Sequence, residues 1–540
     1  MKKISRRHFL IGGGIIATSG LLSNPAQAFI FKNTKYKLMV PELFYTRQLP
    51  PQHSKNVVIG SGFGGAISAL RLSQAGEEVT LLERGFKWPN SDIRGIFSDD
   101  MIPDGRAFWF KNKVKMIPGH TAYMDSFGGV LDATEYKNMT IWRGACVGGG
   151  SVIFTGVMIQ PEKLYFDDIF KGSVDYDEMN NIYYPRVRKM LNLSSMPNDI
   201  YTSGPFGHSR VWDDQARKAG YTPTSVDSLF NWQVIRKELR LQSRPSATVG
   251  LSNHGNSNGA KFDLNQNYLK WAQATGKTTV YSGQEVLHIH HDGQHYHLAV
   301  INRSPDGTVL NRYDISCERL FLAAGSVGST ELLVKSKALG GLSKLNDEVG
   351  KGWGSNGDAI VVRSFSPIKG LVQGAACASK IHDPTRGGMP VTLENWYAPS
   401  VPINLGVIGS LGMVYDDYNR GHFTYNKLSG KVELNWRKDG NADAFSALRI
   451  VNNHIAHASH SLPGKQPFID DVNGMNWTAH PLGGAVIGQA TDNYGQINEY
   501  PNLFVMDGAL IPGSTGSVNP SLTISALAER NIEYILNTII

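Results

Sequence analysis

One stretch, from Asn56 to Gly85, constrains the fold of this chain more than any other. Val57 to Ile59 form a short apolar run without helical periodicity, which is typical of a buried parallel strand. The run leads into Gly60–Gly65, with the letters GSGFGG, which match the pattern G-x-G-x-x-G. Small and aliphatic residues then recur at helical spacing from Ala66 to Ala75, and a second strand from Val79 ends on an acid. This order predicts a strand–turn–helix–strand unit, and hence an α/β domain.

The residue types of this unit fit the binding of a dinucleotide. Gly60 allows a tight turn, Gly62 lets the backbone approach a pyrophosphate, and Gly65 lets the helix pack closely on its strand. Glu83, at the tip of the second strand, can accept hydrogen bonds from the ribose hydroxyls of an adenosine and would repel the extra phosphate of NADP. The pattern leaves FAD and NAD both open, and a βαβ turn without a ligand is the alternative.

Residues 1–28 have the pattern of a targeting segment. A basic start precedes an apolar, glycine-rich run from Phe9 to Leu22, and Ala26-Gln27-Ala28 matches a small-x-small cleavage site. The pair Arg6-Arg7 predicts export by the twin-arginine route, which carries folded proteins, so that a cofactor can be loaded before export. The expected location is the periplasm or the outside of the cell. An ordinary secretory signal or an uncleaved anchor is the alternative.

Composition excludes several other classes of protein. The chain has 540 residues, of which 41% are hydrophobic, enough for two or three domains with a large core. Its formal net charge of +7 falls to +3 when the four basic residues of segment 1–28 are left out, so no nucleic-acid partner is predicted. Three cysteines, Cys146, Cys317 and Cys377, are typical of a protein that does not rely on disulfides.

An aromatic segment, Phe108-Trp109-Phe110, is followed by Lys111, Lys113 and Lys115. One interpretation is a lid or a loop that touches a membrane surface transiently, with the rings in lipid and the lysines at the headgroups. The interpretation that we favour is an extended segment that covers the cofactor, with its rings in the core.

Histidines cluster at two places. Alternation around an Asp-Gly turn predicts a β-hairpin from Glu285 to Asn302, and this hairpin holds five histidines: His288, His290, His291, His295 and His297. His454 and His457 share one face of a predicted helix. Neither group has the further ligands of a typical metal site, so we predict no metal.

Other motifs lie far from the opening unit. A second glycine loop, Gly148-Gly149-Gly150-Ser151, lets the backbone press against a flat ring or a phosphate. A buried strand from Arg319 runs into Gly325 and a following helix, which indicates that the dinucleotide domain is discontinuous. Farther on, His480 stands beside a glycine turn and Asn519-Pro520 precedes a helix. A core histidine and a helix cap are the plain alternatives there.

Together these motifs resemble those of the glucose-methanol-choline (GMC) family of flavin oxidoreductases, and within it the cholesterol oxidases that hold FAD without a covalent bond. The resemblance extends from about Asn56 to the end of the sequence. It is carried by GSGFGG with Glu83, RGACVGGGS at 143–151, LAAGSVGSTELL at 322–333, GWGSNGD at 352–358, HPLGG at 480–484, NLFVMDGALIPGS at 502–514 and VNPSLTISALAERN at 518–531.

The resemblance implies FAD as the cofactor, held non-covalently. The implied contacts with the ADP half are Gly60, Gly62, Gly65 and Glu83. Those on the adenine side are Val286 and Gly325, and those along the ribityl chain and flavin are Gly149, Gly150, Ser151, Asp507 and Gly508.

The resemblance also implies the chemistry. His480 and Asn519 match the family's pair at the alcohol oxygen, which suits a hydride transfer that also removes the hydroxyl proton. Glu394 matches the carboxylate that isomerises the steroid double bond. The implied enzyme is an FAD-dependent 3β-hydroxysteroid oxidase that takes a sterol or another hydrophobic alcohol and passes electrons to oxygen, giving hydrogen peroxide.

Three positions depart from the cholesterol oxidase pattern. Phe154 stands where the family usually has Asn, Val157 where those enzymes carry Met, and Ala479 where they carry Tyr. These positions concern the particular substrate and the route of oxygen. The second glycine loop is not followed by the histidine or cysteine to which some relatives attach FAD.

The expected fold class is α/β, with a discontinuous Rossmann-like FAD-binding domain and a substrate-binding domain built on a β-sheet with helices. We predict the FAD-binding domain at 29–165, 281–366 and 471–540, and the substrate-binding domain at 166–280 and 367–470.

Two other functions stay open. One is a GMC-type dehydrogenase for another hydrophobic alcohol that passes electrons to a quinone or a cytochrome. The other is a flavin-binding protein without turnover, against which the joint presence of His480, Asn519 and Glu394 argues.

Overall fold

The computed structural model of the chain describes residues 33–117, 120–367, 372–397, 406–464 and 476–540. The chain separates into two compact units, Met1–Thr46 and Arg47–Ile540. In the described part of the first unit, residues 33–39 are helical and Pro41–Phe44 form a 3-10 turn. The predicted twin-arginine segment, residues 1–28, lies outside the described residues.

The described part of the second unit mixes strands and helices. Its strands are β1 (His53–Ile59), β2 (Val79–Glu83), β3 (Lys113–Ile117), β4 (His120–Tyr123), β5 (Leu131–Tyr136), β6 (Met139–Gly144), β7 (Thr224–Ser225), β8 (Thr278–Ser282), β9 (Gln284–His291), β10 (Tyr296–Arg303), β11 (Val309–Leu322), β12 (Ala359–Ser364), β13 (Ser379–Asp383), β14 (Val391–Trp396), β15 (Ile408–Val414), β16 (His422–Asn426), β17 (Lys431–Asn435), β18 (Leu462–Pro463), β19 (Trp477–Thr478) and β20 (Leu503–Val505).

The described part of this unit also contains helices. They are α1 (Phe63–Gln74), α2 (Gly150–Ile153), α3 (Lys163–Phe170), α4 (Tyr176–Glu178), α5 (Tyr184–Met190), α6 (Asn198–Tyr201), α7 (Gly207–Lys218), α8 (Trp232–Leu239), α9 (Tyr268–Ala274), α10 (Gly325–Ala338), α11 (Ala442–Ala458) and α12 (Ser521–Thr538). A π-helical turn, Met179–Tyr183, joins α4 to α5, and 3-10 turns occupy Gly204–Phe206, Ala247–Val249 and Gly508–Leu510.

The first sheet is a parallel sheet with a hairpin attached. Strands β8, β2, β1, β11 and β20 lie side by side in that order, and each neighbouring pair is parallel. The early half of β11 instead pairs antiparallel with β10, which pairs with β9 in the predicted hairpin. Val57 and Val58 in the central strand β1 are fully buried, as strands covered on both faces require. The predicted α/β class is confirmed.

Three helices are joined on one side of this sheet by a buried carboxylate, Glu529. Arg71 of α1 donates to both Glu529 oxygens, from Nε and Nη2, each at 2.8 Å. Tyr268 of α9 donates its hydroxyl to Oε1 at 2.8 Å. The Glu529 side chain, on α12, is fully buried, so removal of one partner typically costs about 3–5 kcal/mol of stability. The bridge therefore fixes α12 against the opening βαβ unit.

The second sheet is antiparallel, in the order β18-β12-β15-β14-β13-β7. Side chains alternate along β12, because neighbouring residues of a strand point to opposite faces. Val361 packs with Leu448 and Val451 of α11 in a buried cluster. Ile360 and Val362 line the cavity described below. This sheet thus has one face toward helices and the other toward the site.

The aromatic segment lies in the interior. Phe108 is fully buried and Trp109 is 8% exposed. The ring of Trp109 contacts that of Phe86, with the centroids 5.6 Å apart. These two rings are therefore part of the core, as we favoured, and the interpretation that they insert into lipid is wrong. Among the described residues, no helix is long and apolar enough to cross a membrane.

The predicted domain boundaries stay a prediction, although the two sheets interleave across them. Strand β12 (359–364) belongs to the second sheet but lies inside the segment assigned to FAD binding. Strand β8 (278–282) belongs to the first sheet and straddles the boundary at 281.

Candidate active site

The carboxyl ends of the parallel strands bring the predicted cofactor residues together. Gly60 follows β1, Glu83 ends β2, Gly325 lies just after β11, and Asp507 just after β20. Carboxyl ends of parallel strands meet at one edge of a sheet, where open α/β sheets bind their ligands. All four residues line one cavity of about 2530 Å³.

Each glycine of the G-x-G-x-x-G pattern in the first glycine turn has different surroundings. Gly60 has φ +97°, and a Cβ there would come within 2.3 Å of the Ala323 carbonyl oxygen. A Cβ on Gly65 would lie 2.0 Å from the Gly60 oxygen. Gly62, by contrast, has φ −69° and no atom within 4 Å of its Cβ position. The fold therefore needs Gly60 and Gly65, whereas Gly62 keeps the cavity open at the start of α1.

Glu83 is hydrogen-bonded inside the protein and still borders the cavity. Its Oε2 accepts from the Ser61 backbone N–H at 3.1 Å and hydroxyl at 2.7 Å, and its Oε1 accepts from the Gly85 N–H at 2.8 Å. The Ser61 hydroxyl in turn accepts from the Gly148 N–H at 3.0 Å. A carboxylate offers about four acceptor sites, so Glu83 retains acceptor capacity for a ribose.

The second glycine loop packs directly on the first. A Cβ on Gly149 would come within 2.8 Å of the Gly62 Cα, and the position on Gly150 is open. Gly149 and Gly150 line the cavity. Ser151 does not: its hydroxyl donates to the Gly148 carbonyl at 2.7 Å and accepts from the Leu264 N–H at 3.1 Å. Ser151 thus holds the loop from behind.

Asp507, just after β20, also lines the cavity. Its Oδ2 accepts from the Gly325 N–H at 2.8 Å and from the Ser329 hydroxyl at 2.5 Å, and its Oδ1 accepts from the Ala509 N–H at 2.8 Å. Burial raises the pKa of this carboxyl to about 6. Gly508 and Val286 also line the cavity, as the resemblance implies.

A group of polar side chains that includes the predicted catalytic residues also lines the cavity. The His480 backbone N–H donates to the Thr478 hydroxyl at 2.8 Å, which fixes the turn that carries the imidazole. Asn519, which precedes the N-cap residue Pro520 of α12, is 3% exposed, and its Oδ1 has no hydrogen-bond partner among the described residues. Both side chains line the cavity and leave polar atoms for a ligand.

Glu394 lies behind Asn519 instead of lining the cavity. It sits on β14, is 1% exposed, and accepts a long hydrogen bond of 3.5 Å from the Asn519 side-chain amide. Burial raises the pKa of Glu394 to about 7, although the nearby His480 and Asn519 oppose the rise. Near neutral pH this carboxyl therefore exists in both protonation states, as a residue that gives and takes protons requires.

Asp358 is a member of this group that the sequence did not single out. Its Oδ2 accepts from the Ala479 backbone N–H at 2.9 Å and lies 3.2 Å from His480 Nδ1. It ends the GWGSNGD segment, so the resemblance covered it, but nothing local to the sequence links positions 358 and 480. Three positions differ from the cholesterol oxidase pattern. Phe154 lines the cavity, Val157 is buried in an apolar cluster, and the Ala479 backbone N–H donates to Asp358.

The histidine clusters have protein partners. His297 Nε2 lies 2.7 Å from Asp292 Oδ2, and His454 Nε2 lies 2.9 Å from the Ala219 carbonyl oxygen. Within the described ranges, no group of three or more His, Cys, Asp or Glu side chains could hold a metal ion.

The residues present fit FAD. Gly62, Gly150 and Gly325 have no atom within 4 Å of their Cβ positions, so space is left where a ligand would approach the backbone. Glu83 supplies an acceptor at one part of the cavity, and His480 with Asn519 supply polar groups at another.

The comparison with known protein families agrees with a site for FAD. Two family models, both described as GMC oxidoreductase, match residues 121–353 and 418–528, and together they span more than half of the chain. This protein belongs to the GMC oxidoreductase family, whose members generally bind FAD, and it is an alcohol-oxidising enzyme.

Similarity to individual proteins is more distant. A cholesterol oxidase of Mycobacterium tuberculosis is 26% identical over 547 residues, covering 88% of this chain and 89% of that protein. A cholesterol oxidase of Acinetobacter baumannii is 24% identical, covering 89% and 94%. The structure of a fungal aryl-alcohol oxidase superposes with a TM-score of 0.61 at 12% identity, covering 90% of this chain and 99% of that one. The structural match supports the fold alone.

Proposed function

We propose that this protein is an exported, FAD-dependent 3β-hydroxysteroid oxidase with a linked isomerase activity. The observation that carries the proposal is one continuous cavity, which joins the glycine-lined edge of the parallel sheet to His480 and Asn519. The similarity to two cholesterol oxidases supports a sterol as the substrate.

The side chains of the polar group suit the removal of a proton from an alcohol. His480 presents an imidazole to the cavity and can accept the hydroxyl proton, while Asn519 can orient the alcohol oxygen through its side-chain amide. FAD, when bound, supplies the acceptor for the hydride from the alcohol carbon. No histidine or cysteine follows the second glycine loop, which supports non-covalent binding.

Glu394 suits the second reaction. Shifting a steroid double bond requires a group that removes a proton from one carbon and returns it to another. Glu394 has a pKa of about 7 and adjoins Asn519, so we assign it this role. Because Glu394 does not itself line the cavity, the proposal requires that a bound sterol reach it beside Asn519.

One purified preparation tests the main proposal. The protein should be yellow and should release FAD on acid denaturation. With cholesterol and oxygen it should produce peroxide, and parallel assays should include a hydrophobic non-steroid alcohol and an artificial electron acceptor. Turnover of the non-steroid alcohol alone would contradict the sterol assignment, and turnover with the artificial acceptor alone would favour a dehydrogenase. Absence of turnover with every alcohol would leave a flavin-binding protein.

Export is a separate part of the proposal and rests on residues 1–28. Changing Arg6 and Arg7 together to lysine should leave folded, FAD-loaded protein in the cytoplasm. A periplasmic yield equal to that of the parent would refute the twin-arginine route.

A further inference from the structure

We propose that Asp358 is a positioning residue for His480. It holds the imidazole in the tautomer that carries hydrogen on Nδ1, leaves Nε2 for the alcohol proton, and balances the positive charge that proton uptake creates. This inference rests on the proposed function for its catalytic meaning, but its structural part can be tested without a substrate.

The carboxylate of Asp358 is fixed in place. Its side chain is fully buried, and its Oδ2 accepts from the Ala479 N–H at 2.9 Å. The segment that carries it is paired with the segment that carries His480, because Gly354 and Leu482 exchange two backbone hydrogen bonds of 2.9 and 3.1 Å. Thr478 also donates its hydroxyl to the Ser355 carbonyl at 3.0 Å. The two side chains therefore have little freedom to separate.

The position of Asp358 beside the ring favours one tautomer. His480 Nδ1 lies 3.2 Å from Asp358 Oδ2, which is within hydrogen-bond reach although the ring is not aligned with that oxygen. A carboxylate oxygen can only accept, so the neighbouring ring nitrogen is favoured as the N–H donor. Nε2 on the opposite edge of the ring is then an acceptor. His480 is 14% exposed and lines the cavity, so this edge is accessible to a ligand.

The chemical step that benefits is the removal of the hydroxyl proton. The O–H bond of the alcohol breaks, a bond forms between Nε2 and the proton, and the electron pair stays on the alcohol oxygen. The ring becomes positive beside the Asp358 carboxylate, which is desolvated and therefore interacts strongly with it. The proton step requires no other partner, and FAD, when bound, would supply the acceptor for the hydride that leaves the alcohol carbon.

Two variants of Asp358 distinguish its role as a hydrogen-bond acceptor from the role of its negative charge. Asp358→Leu keeps the size of the side chain but removes the acceptor. Asp358→Asn keeps an acceptor, and the two donors, Ala479 N–H and Nδ1–H, orient the amide oxygen toward them. Asp383→Asn is the matched control, because Asp383 is also a buried, hydrogen-bonded aspartate but does not line the cavity.

The measurements are nitrogen-15 NMR of the His480 ring, assigned by comparison with His480→Gln, and the steady-state kinetics of alcohol oxidation. In the Leu variant we expect a mixture of both tautomers and a fall in kcat on the order of a hundredfold with KM little changed. In the Asn variant we expect the parent tautomer and a fall in kcat of roughly tenfold, since the amide cannot balance charge. The control should match the parent in both measurements.

The outcomes separate this inference from the proposed function. An unchanged tautomer in Asp358→Leu would overturn the role of Asp358, whatever the activity of the protein. Full kcat in Asp358→Asn would overturn the charge-balancing part. If the parent oxidises no alcohol, the proposed function fails, and the NMR result still decides whether Asp358 sets the tautomer. If the Leu variant does not fold, the Asn variant and the NMR of the parent provide the test.

Discussion

At the scale of single residues, the polar group around His480 combines four side chains with different duties. His480 and Asn519 line the cavity, Glu394 lies behind Asn519, and Asp358 lies beside the imidazole. Three of these side chains are almost completely buried, so each depends on its neighbours for hydrogen bonds. Substitutions here should act on chemistry more than on folding, provided that shape is kept.

The first prediction concerns the two residues at the proposed alcohol site. His480→Ala and Asn519→Ala should each lower kcat for alcohol oxidation by roughly a hundredfold or more, because one oriented contact to the reacting oxygen is lost. Both variants should still bind FAD, as measured by the flavin absorbance of the purified proteins. Near-normal turnover in either variant would show that the pair has been wrongly assigned.

The second prediction separates oxidation from isomerisation. Glu394→Gln should still oxidise cholesterol, because His480 and Asn519 are intact, but the product should stay the unconjugated 5-en-3-one. An amide cannot take and return a proton near neutral pH. The conjugated 4-en-3-one absorbs in the ultraviolet, so one spectrum reports the outcome. Conjugated product formed at the parent's rate would exclude Glu394 as the isomerase base.

The third prediction uses the raised pKa of Glu394. The folded protein keeps this carboxyl protonated up to a pKa of about 7, whereas the unfolded chain ionises it near 4.5. Folding then loses stability as pH rises from about 4.5 to about 7, by on the order of 3 kcal/mol, and loses no more above that pH. Glu394→Gln has no such loss.

Thermal unfolding of the parent and of Glu394→Gln from pH 5 to pH 8 checks this. The Tm of Glu394→Gln should rise relative to the Tm of the parent as pH rises. The raised pKa of Asp507 acts in the same direction but is common to both proteins, so it cancels. A constant difference in Tm across this range would mean that Glu394 is ionised in the folded protein.

At the scale of elements, two glycines in the turn between β1 and α1, Gly60 and Gly62, have different roles. Gly62→Ala should leave the Tm of the FAD-free protein unchanged or slightly higher, since its φ is ordinary and its Cβ position is open. It should weaken FAD binding at least tenfold, because the added methyl group lies where the pyrophosphate approaches.

Gly60→Ala is the matched comparison for the same turn. Its positive φ and the 2.3 Å approach to the Ala323 oxygen should lower the Tm of the FAD-free protein. Calorimetry measures the Tm of each FAD-free variant, and quenching of flavin fluorescence measures its affinity for FAD. Equal FAD affinity in Gly62→Ala and the parent would show that the pyrophosphate does not approach the backbone at Gly62.

Sequence patterns predicted the elements whose signals are local. Gly60, Gly62 and Glu83 could be predicted because a strand, turn, helix and strand follow one another without interruption, and all three line the cavity. Gly65 was also expected to contact the cofactor, but it packs against the Gly60 oxygen and does not line the cavity. The pairing of Asp358 with His480 was not found, because only the folded chain brings these positions together. Ser151 was expected along the flavin, yet its hydroxyl is used within the loop. Sequence spacing indicates that a residue is near a site, but not which way its side chain points.

At the scale of the whole molecule, one cavity is bordered by both sheets. Ile59 and Leu82 belong to the parallel sheet, and Val362 and Leu411 belong to the antiparallel one. A ligand that fills this cavity contacts both layers at once. Cofactor binding should therefore stabilise the unit 47–540 as a whole.

The last prediction follows from this arrangement. Removing FAD should lower Tm, and adding it back at a hundred times its Kd should restore about 2.7 kcal/mol. At that same FAD concentration, Gly62→Ala should recover less, because its FAD affinity is lower. Differential scanning calorimetry measures both proteins with and without FAD. A Tm that does not respond to FAD would mean that the cofactor does not bind in this cavity.

The parallel sheet also sets an order of events during synthesis. Strand β11 pairs with β1 on one side and with β20 on the other, and α12 reaches back to Arg71 through Glu529. The ribosome makes positions 53–59 long before positions 503–538, so the nascent chain must wait with the β11 edge at Leu320–Leu322 unpaired and with α1 not yet covered by α12. Contacts this distant along the chain form slowly. We therefore expect the growing polypeptide to depend on chaperones until α12 has been made, and to bind FAD only after that point.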